Sequence, residues 1–208
     1  MSTNTVRGIR RKKSSLSEVK IAILGAPSVG KSALTVRFLT RRYIGEYDHQ
    51  PENKYRNEMM VDGEPIFFEL NDACAKDNHE MPSDEIIQWA DGFLLVYSIT
   101  DRNSFNFVKT LRQHVYDTKT SPKDIPQGAQ VQFPITIAAN KSDLIHLRQV
   151  STEEGEILSK DSDALFTELS AAEHVTQVED AFYDLCREVH AVRRRCKQSL
   201  FDRMLGKK

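Results

Sequence analysis

Gly25-Ala26-Pro27-Ser28-Val29-Gly30-Lys31-Ser32 is the segment that decides the fold, because it matches the pattern GxxxxGK[ST] at every constrained position. A short apolar run over residues 19–24 precedes it, and residues 31–42 carry apolar side chains at helical spacing. A strand therefore leads into a glycine-containing turn that opens a helix. Backbone amides of such a loop donate to anions, and the helix dipole favours negative charge there. The segment predicts a phosphate-binding loop.

Three residues of this loop have a predicted chemical role. Gly30 has no side chain, so the backbone can approach a phosphate closely. Lys31 places a point charge on the β- and γ-phosphates, and the Ser32 hydroxyl is a ligand for Mg²⁺. The candidate nucleotide-binding residues of this segment are Gly25, Pro27, Ser28, Val29, Gly30, Lys31, Ser32 and Ala33.

Six segments of the chain have the composition of strands. Asp62-Gly63 separates two of them and is a strong hairpin signal, so we expect this pair to be antiparallel. Two others are continuously apolar, which is typical of parallel strands with helices on both faces. The predicted strands cover residues 19–24, 55–61, 66–71, 92–99, 133–139 and 165–169.

Helical periodicity alternates with these strands. Asp101 is a predicted N-cap for a helix over residues 101–117, and residues 151–154 have capping-box spacing. A last helix begins near Val175, and residues 118–132 have the composition of a loop. The alternation predicts an α/β protein with a three-layer P-loop NTPase fold, in which helices cover both faces of a six-stranded mixed, mostly parallel sheet.

Length and charge indicate one domain with basic ends. The chain has 208 residues, of which 39% are hydrophobic and 28% charged, and this composition excludes collagen-like and wholly disordered proteins. The net charge is -1, but residues 1–17 hold five basic residues and no acid, and residues 193–208 hold seven basic residues and one acid. We predict a disordered basic N-terminal tail at 1–17, a single domain at 18–192 and a basic C-terminal tail at 193–208.

The cysteine content and the hydropathy of the chain indicate the cellular compartment of the protein. Cys74, Cys186 and Cys196 are odd in number and lack the short spacing of a metal site, which favours a reducing compartment. No run approaches the ~18 apolar residues that a spanning helix needs. Residues 19–24 are too short for the core of a signal peptide. We expect a cytoplasmic monomer.

A second polar segment, Asn140-Lys141-Ser142-Asp143, directly follows an apolar strand. Ligands of doubly wound sheets bind at the carboxyl ends of strands, so this segment can share a rim with the phosphate-binding loop. The Asp143 carboxylate can accept hydrogen bonds from the ring NH and the exocyclic amine of guanine together, whereas adenine presents a lone pair to it. Ser170-Ala171, after the last strand, can present backbone NH groups to the base oxygen. We therefore predict a guanine nucleotide as the ligand.

The order GxxxxGKS, NKxD and SA resembles the Ras superfamily of small GTPases over residues 19–192. The likeness is greatest to the branch that contains the Ras-related and oestrogen-regulated growth inhibitor, through VRFLTRRYIGEYD (36–48), GFLLVYSITDRNSF (92–105), RQVSTEEGE (148–156) and FYDLCREV (182–189). The resemblance implies binding of GDP and GTP with Mg²⁺, GTP hydrolysis, and signalling through effector and regulatory proteins that contact the switch regions. It also implies that Tyr43 stacks on guanine, Lys141 lies along the base and Asp72 holds Mg²⁺ through water.

Several positions depart from the family's pattern. The first switch has Gln50 in place of the threonine that ligates Mg²⁺, although an amide can still ligate a hard cation. The family's DTAGQ is Asp72-Ala-Cys-Ala-Lys76 here, so an alanine replaces the glycine that binds the γ-phosphate. Lys76 replaces the glutamine that orients the attacking water, and a lysine cannot accept a hydrogen bond from that water. Pro27 occupies a position beside which an incoming arginine would need space, and Ala172 replaces the lysine of SAK.

Two interpretations of these departures stay open. In one, the protein is a signalling GTPase that binds guanine nucleotides and hydrolyses GTP slowly. In the other, it is a non-cycling interaction module in which guanine nucleotide is a structural ligand or is absent. We expect no nucleic-acid partner, because no platform of interleaved aromatic and basic residues is visible.

The basic C-terminal tail also has more than one interpretation. Residues 193–197 (RRRCK) precede four apolar residues between 200 and 205, and such a segment can lie on an anionic leaflet. Cys196 is a candidate for palmitoylation. The alternatives are a continuation of the last helix or a basic localisation signal. The sequence ends in LGKK at 205–208 without a CaaX box, so we expect peripheral membrane contact, where it occurs, to need no prenylation.

Overall fold

The computed structural model describes residues 17–43, 52–73, 80–121 and 132–204. Within these ranges, strands and helices alternate along the chain as the sequence predicts. The elements are β1 Ser17–Gly25, α1 Lys31–Thr40, β2 Glu52–Val61, β3 Glu64–Ala73, α2 Asp84–Trp89, β4 Gly92–Ser98, α3 Arg102–Lys119, β5 Ile135–Asn140, a 3₁₀ helix Ser142–Leu147, α4 Thr152–Lys160, β6 Leu165–Glu168 and α5 Val175–Met204.

The six strands form one mixed sheet in the order β2-β3-β1-β4-β5-β6. The predicted hairpin is present, since β2 and β3 are antiparallel around Asp62 and Gly63, whose φ angles are 52° and 81°. Every other neighbouring pair is parallel, and this confirms the predicted fold class. After β1 the chain forms the edge strand β2 and returns as β3 beside β1, and it then continues with β4 on the other side of β1. The end of β1 is therefore the point where the strand order reverses, which is where ligands bind in such sheets.

The apolar runs that predict the central strands form the core. Every residue of β4 and of β5 is buried, as expected for strands covered by helices on both faces. Phe38 of α1 stacks on Phe182 of α5 with 4.2 Å between ring centroids, and it meets Phe68 of β3 edge-on at 5.3 Å. Each such pair contributes about 0.5–1.5 kcal/mol beyond its buried area. The cluster fixes α1 against the sheet and α5, so the loop before α1 rests on a rigid base.

Two predicted helix starts are confirmed in detail. The Asp101 carboxylate accepts a hydrogen bond from the amide of Asn103 at 2.9 Å, which caps α3. The Glu154 amide donates to the Ser151 hydroxyl at 3.3 Å, and the Ser151 amide donates to the Glu154 carboxylate at 3.0 Å. This reciprocal pair is the capping box expected at the start of α4.

The ends of two helices differ from the prediction. α1 stops at Thr40 rather than at residue 42, because Arg41 adopts a left-handed conformation with φ 60° and its amide closes on the Arg37 carbonyl at 2.8 Å. At the other end of the chain, α5 continues to Met204 and so crosses the boundary that the sequence places at residue 192.

Periodicity does not predict two short elements, α2 and the 3₁₀ helix after β5. Each has six residues, too few to show a helical repeat. α2 is nevertheless capped by Ser83, whose hydroxyl accepts from the Ile86 amide at 3.4 Å. Of the predicted loop over 118–132, residues 122–131 lie outside the described ranges. Among the described helices, none combines the length and the apolar character that a bilayer-crossing segment needs.

Candidate nucleotide-binding site

Two glycines give the phosphate-binding loop its shape. Gly25 ends β1 with φ 153°, and a Cβ there would lie 2.2 Å from the Val96 carbonyl oxygen. Gly30 has φ 98°, and a Cβ there would lie 2.3 Å from Nδ2 of Asn140. Only glycine lets the loop pass this close to the neighbouring strand ends. Gly30 caps α1 without a side-chain bond, so the first amides of that helix are directed at the loop and suit an anion.

The ammonium of Lys31 lies inside this loop. The residue is buried, and its Nζ donates to the carbonyl oxygens of Gly25 at 2.9 Å and Ala26 at 2.8 Å. These bonds hold a positive charge beside the amides of the helix start. The loop is therefore electropositive at its centre and fits a phosphate group.

Asn140 joins the phosphate-binding loop to the predicted base-binding segments. Its Nδ2 donates to the Val29 carbonyl at 2.8 Å, and its Oδ1 accepts from the Ala171 amide at 3.1 Å. The next residue, Lys141, donates from Nζ to the Ser28 carbonyl at 2.8 Å. Three segments that are far apart in the sequence thus meet at one rim of the sheet, as the sequence predicts for them.

Asp143 is oriented by a neighbour on the base side. The Ser170 hydroxyl donates to Oδ1 of Asp143 at 2.6 Å. The same hydroxyl oxygen accepts from the amides of Ala172 at 3.1 Å and Glu173 at 3.3 Å. A carboxylate held in this way can accept from two adjacent N–H groups of a guanine base.

Asp72 is a buried carboxylate suited to a cation. It ends the buried part of β3 with 1% of its surface exposed, and neither carboxylate oxygen has a hydrogen-bond partner among the described residues. Burial raises the pKa of this carboxyl, while the nearby Ser32 hydroxyl and Lys31 ammonium oppose that rise. A buried carboxylate of this kind is costly unless a cation accompanies it. Asp72 and Ser32 therefore fit the predicted Mg²⁺, a hard cation that takes oxygen ligands.

The remaining predicted residues divide into two groups. Tyr43 follows the end of α1 and is half-exposed, so its ring is accessible to a base. Gln50, Cys74, Ala75 and Lys76 lie outside the described ranges. Their assignments to the switches stay predictions from the sequence.

One contact on the base side of the site is not predicted from the sequence. Nη2 of Arg37, on α1, donates to the Glu173 carbonyl at 3.1 Å, although the two residues are 136 positions apart. A surface arginine on a helix gives no signal of such a partner. Only the packing of α1 beside the loop after β6 brings these two groups together.

Comparison with known proteins agrees with this geometry. The sequence model of the Ras family matches residues 20–191. The chain belongs to the Ras family. The Ras-related and estrogen-regulated growth inhibitor of Bos taurus is 42% identical over 182 residues, which cover 88% of this chain and 85% of that protein. The Ras-like protein family member 11A of Rattus norvegicus is 40% identical over 179 residues, which cover 83% of this chain and 70% of that protein.

Membership confirms the resemblance predicted from the three motifs. Ras-family proteins are small GTPases that bind guanine nucleotide with Mg²⁺ and act in signalling, so GTP binding and GTPase chemistry are the general function of this Ras-family chain. The relative with the highest identity quoted above is of the branch that the sequence predicts. The departures at the switch positions are a separate matter from membership.

Proposed function

We propose that this Ras-family protein binds GDP and GTP tightly with Mg²⁺ and hydrolyses GTP slowly. The observation that carries the proposal is the Asn140 link, which holds the phosphate-binding loop and the base-binding segments in one arrangement through bonds of 2.8 and 3.1 Å. A nucleotide that spans both parts meets a site that is already organised, and such preorganisation favours tight binding.

The residues of the chain divide the work of binding. Lys31 and the amides at the start of α1 neutralise the phosphates, and Ser32 and Asp72 hold the Mg²⁺. A Mg²⁺ ion held there would supply positive charge that offsets the negative charge of the phosphates. Asp143, oriented by Ser170, selects guanine because its carboxylate accepts from two N–H groups of that base.

Slow hydrolysis is inferred from the second switch. A water that attacks the γ-phosphate needs a hydrogen-bond acceptor to orient it, and the Lys76 ammonium is a donor only. Ala75 adds a methyl group where the family has a glycine, and Gln50 replaces a threonine ligand of Mg²⁺. Each change affects γ-phosphate chemistry and leaves the diphosphate contacts intact.

Single-turnover GTP hydrolysis by the purified protein tests this proposal. We expect complete exchange of GDP for GTP, followed by hydrolysis well below the rate of a Ras-type protein that has glutamine at the Lys76 position. A comparable rate would contradict slow hydrolysis. ATP is the control nucleotide, and equal affinity for GTP and ATP would contradict the assignment of Asp143.

The alternative is the non-cycling interaction module, and the nucleotide content of the purified protein separates the two. We expect chromatography of the denatured protein to release GDP or GTP at about one equivalent. Release of no nucleotide, together with no binding of added GDP, would favour the module instead. In either case, we propose that effector and regulatory proteins contact the switch regions of a monomeric chain.

We further propose a cytoplasmic protein whose basic ends contact anionic membranes peripherally. The first described residues lie beside the start of the basic C-terminal segment, since the Ser17 hydroxyl lies 3.4 Å from Nε2 of His190 and the Arg193 guanidinium donates to the Glu18 carbonyl at 2.6 Å. Arg193 also pairs with Asp91 at 2.7 Å, which holds α5 against the domain at that residue. The concentration of positive charge in these two segments favours an anionic leaflet. We expect the full chain to float with anionic vesicles and not with neutral ones; equal recovery with both would contradict the contact.

A further inference from the structure

The loop that follows β6 closes the base side of the site. We call residues 170–174 the base loop, because it carries the predicted base-binding pair Ser170-Ala171. The Ser170 hydroxyl accepts hydrogen bonds from two backbone amides of this loop, and the His174 amide donates to the Ser170 carbonyl at 3.4 Å. Internal bonds of this kind make the base loop a compact unit. A displacement of one end of the base loop therefore also displaces Ser170, the residue that orients Asp143.

The base loop is held at both of its ends. At its start, the Ala171 amide donates to Oδ1 of Asn140 at 3.1 Å. At its far end, the Glu173 carbonyl accepts from Nη2 of Arg37 at 3.1 Å. Ala172 stands where the family's pattern has a lysine, so the base loop has no ammonium of its own to offer a nucleotide. The base loop is also bonded to Asp143 through Ser170, and among these contacts Arg37 is the one that connects the loop to α1.

Arg37 belongs to the helix that also carries the opposite side of the base site. α1 ends at Thr40, and the chain continues directly to Tyr43, the aromatic residue expected on the guanine face. Phe38, next to Arg37, is fully buried and stacks on Phe182, which fixes the rotation of the helix. One bond from Arg37 therefore relates the base loop to the helix end that leads to Tyr43.

The arginine side chain is itself held in place. Nε of Arg37 is enclosed and has no acceptor among the described residues, whereas Nη2 reaches the Glu173 carbonyl. The guanidinium is planar and rigid, so an enclosed Nε limits the directions that the rest of the fork can take. The Arg37 guanidinium is therefore directed at the base loop and does not move freely in solvent.

We propose that Arg37 is a positioning residue that sets the width of the guanine slot, by which we mean the space between the base loop and Tyr43. By holding the base loop against α1, it keeps Ser170 where it orients Asp143, and it slows the release of nucleotide. This inference rests on the proposed function, since it requires that the site binds guanine nucleotide.

Arg41 provides a matched control on the same helix. Its Nε donates to the Glu179 carboxylate of α5 at 2.7 Å, and that bond does not involve the base loop. Replacing either arginine by alanine removes one positive charge and one tie of α1. A general loosening of α1 would therefore affect both variants, whereas widening of the guanine slot would affect only the Arg37 variant.

The test measures release of fluorescent GDP and the affinity ratio of GDP to inosine diphosphate in the full chain. Inosine lacks the exocyclic amine, so this ratio reports how well Asp143 is oriented. We expect Arg37→Ala to release GDP roughly three- to fivefold faster, as for loss of a solvent-exposed hydrogen bond from a charged donor, and to lower the ratio. Arg41→Ala should change both by less than about twofold. Arg37→Lys, which keeps the charge but lacks the planar fork, should fall between Arg37→Ala and wild type.

The outcomes separate this inference from the proposed function. If Arg37→Ala and Arg41→Ala behave alike, or if Arg37→Ala lowers the melting temperature but leaves the GDP to inosine diphosphate ratio unchanged, the inference is overturned and the proposed function stands. If the wild-type chain binds neither nucleotide, both are overturned.

Discussion

The nucleotide site has two halves that differ in how far they keep the chemistry of the Ras family. The half that meets the diphosphate and the base retains Lys31, Asn140 and Asp143, each held by hydrogen bonds of 2.6–3.1 Å. The half that would meet the γ-phosphate has Gln50, Ala75 and Lys76 where the family has threonine, glycine and glutamine. Affinity depends on the first half, and hydrolysis depends on the second.

This contrast has a structural basis. Lys31 and Asn140 each bond two other groups of the site, so one substitution there breaks several bonds and reduces both stability and affinity. The three altered positions of the second half act on a phosphate that GDP does not contain. The two halves can therefore change independently, and a set of single substitutions can test whether they do.

The largest expected effect is on base recognition. Asp143→Asn exchanges a carboxylate that accepts twice for an amide with one acceptor and one donor. We expect GDP affinity to fall by roughly a hundredfold or more, because sites built to hydrogen-bond a ligand discriminate strongly when the pairing fails. The affinity for xanthosine diphosphate, which has an oxygen in place of the exocyclic amine, should fall by less than that for GDP or should rise. Calorimetry with both nucleotides measures this, and equal losses for both would contradict the role of Asp143.

Gly30→Ala tests the close approach between the phosphate-binding loop and Asn140. The new Cβ would lie 2.3 Å from Nδ2 of Asn140, so the bonds of Asn140 to Val29 and Ala171 must shift. We expect a loss of about 2–4 kcal/mol in the free energy of unfolding and weaker GDP binding. Gly63→Ala is the control, since Gly63 also has a positive φ but its Cβ would have no neighbour within 4 Å. That variant should lose only about 1–2 kcal/mol in urea unfolding; equal losses would contradict the argument.

The parts of this site that are local in sequence were predictable, and the parts that join distant segments were not. The turn at Gly25 to Ser32 follows from residue types and from the strand and helix around it. The bond between Asn140 and Val29 spans 111 positions, and the one between Arg37 and Glu173 spans 136. Sequence spacing can place such segments at one rim of a sheet, but it does not say which atoms meet.

The predicted helix boundaries were wrong or missing where a residue other than glycine has a left-handed backbone conformation. The end of α1 is formed by Arg41 in a left-handed conformation, a place where glycine is the usual residue, so the apolar periodicity predicted two further helical residues. The 3₁₀ helix after Asn140 starts behind Lys141, which also has a positive φ of 67°. Both positions are non-glycine residues held in strained backbone geometry beside the site, and the sequence gives no sign of that geometry.

Lys76→Gln should restore part of the second half without affecting the first. Glutamine offers a carbonyl oxygen that can accept a hydrogen bond from the attacking water, which lysine cannot do. We expect single-turnover GTP hydrolysis to rise about tenfold and GDP affinity to change by less than about twofold. Ala75→Gly is the companion variant, which returns the family's glycine without adding an acceptor. Hydrolysis that responds to neither substitution would contradict the assignment of these positions.

Ala172→Lys gives the smallest expected effect and tests the contrast from the other side. It returns the family's residue to the base loop, beside a bound nucleotide, and so adds a positive charge at an exposed position. Exposed charge interactions contribute about 0.2–1 kcal/mol, so we expect GDP release to slow by roughly two- to threefold. Hydrolysis should not change, because this residue belongs to the half that holds the base. The double variant Arg37→Ala with Ala172→Lys extends this test. If the added lysine returns GDP release to the wild-type rate, either contact is sufficient to hold the base loop. A change in hydrolysis without a change in release would show that the two halves are not independent.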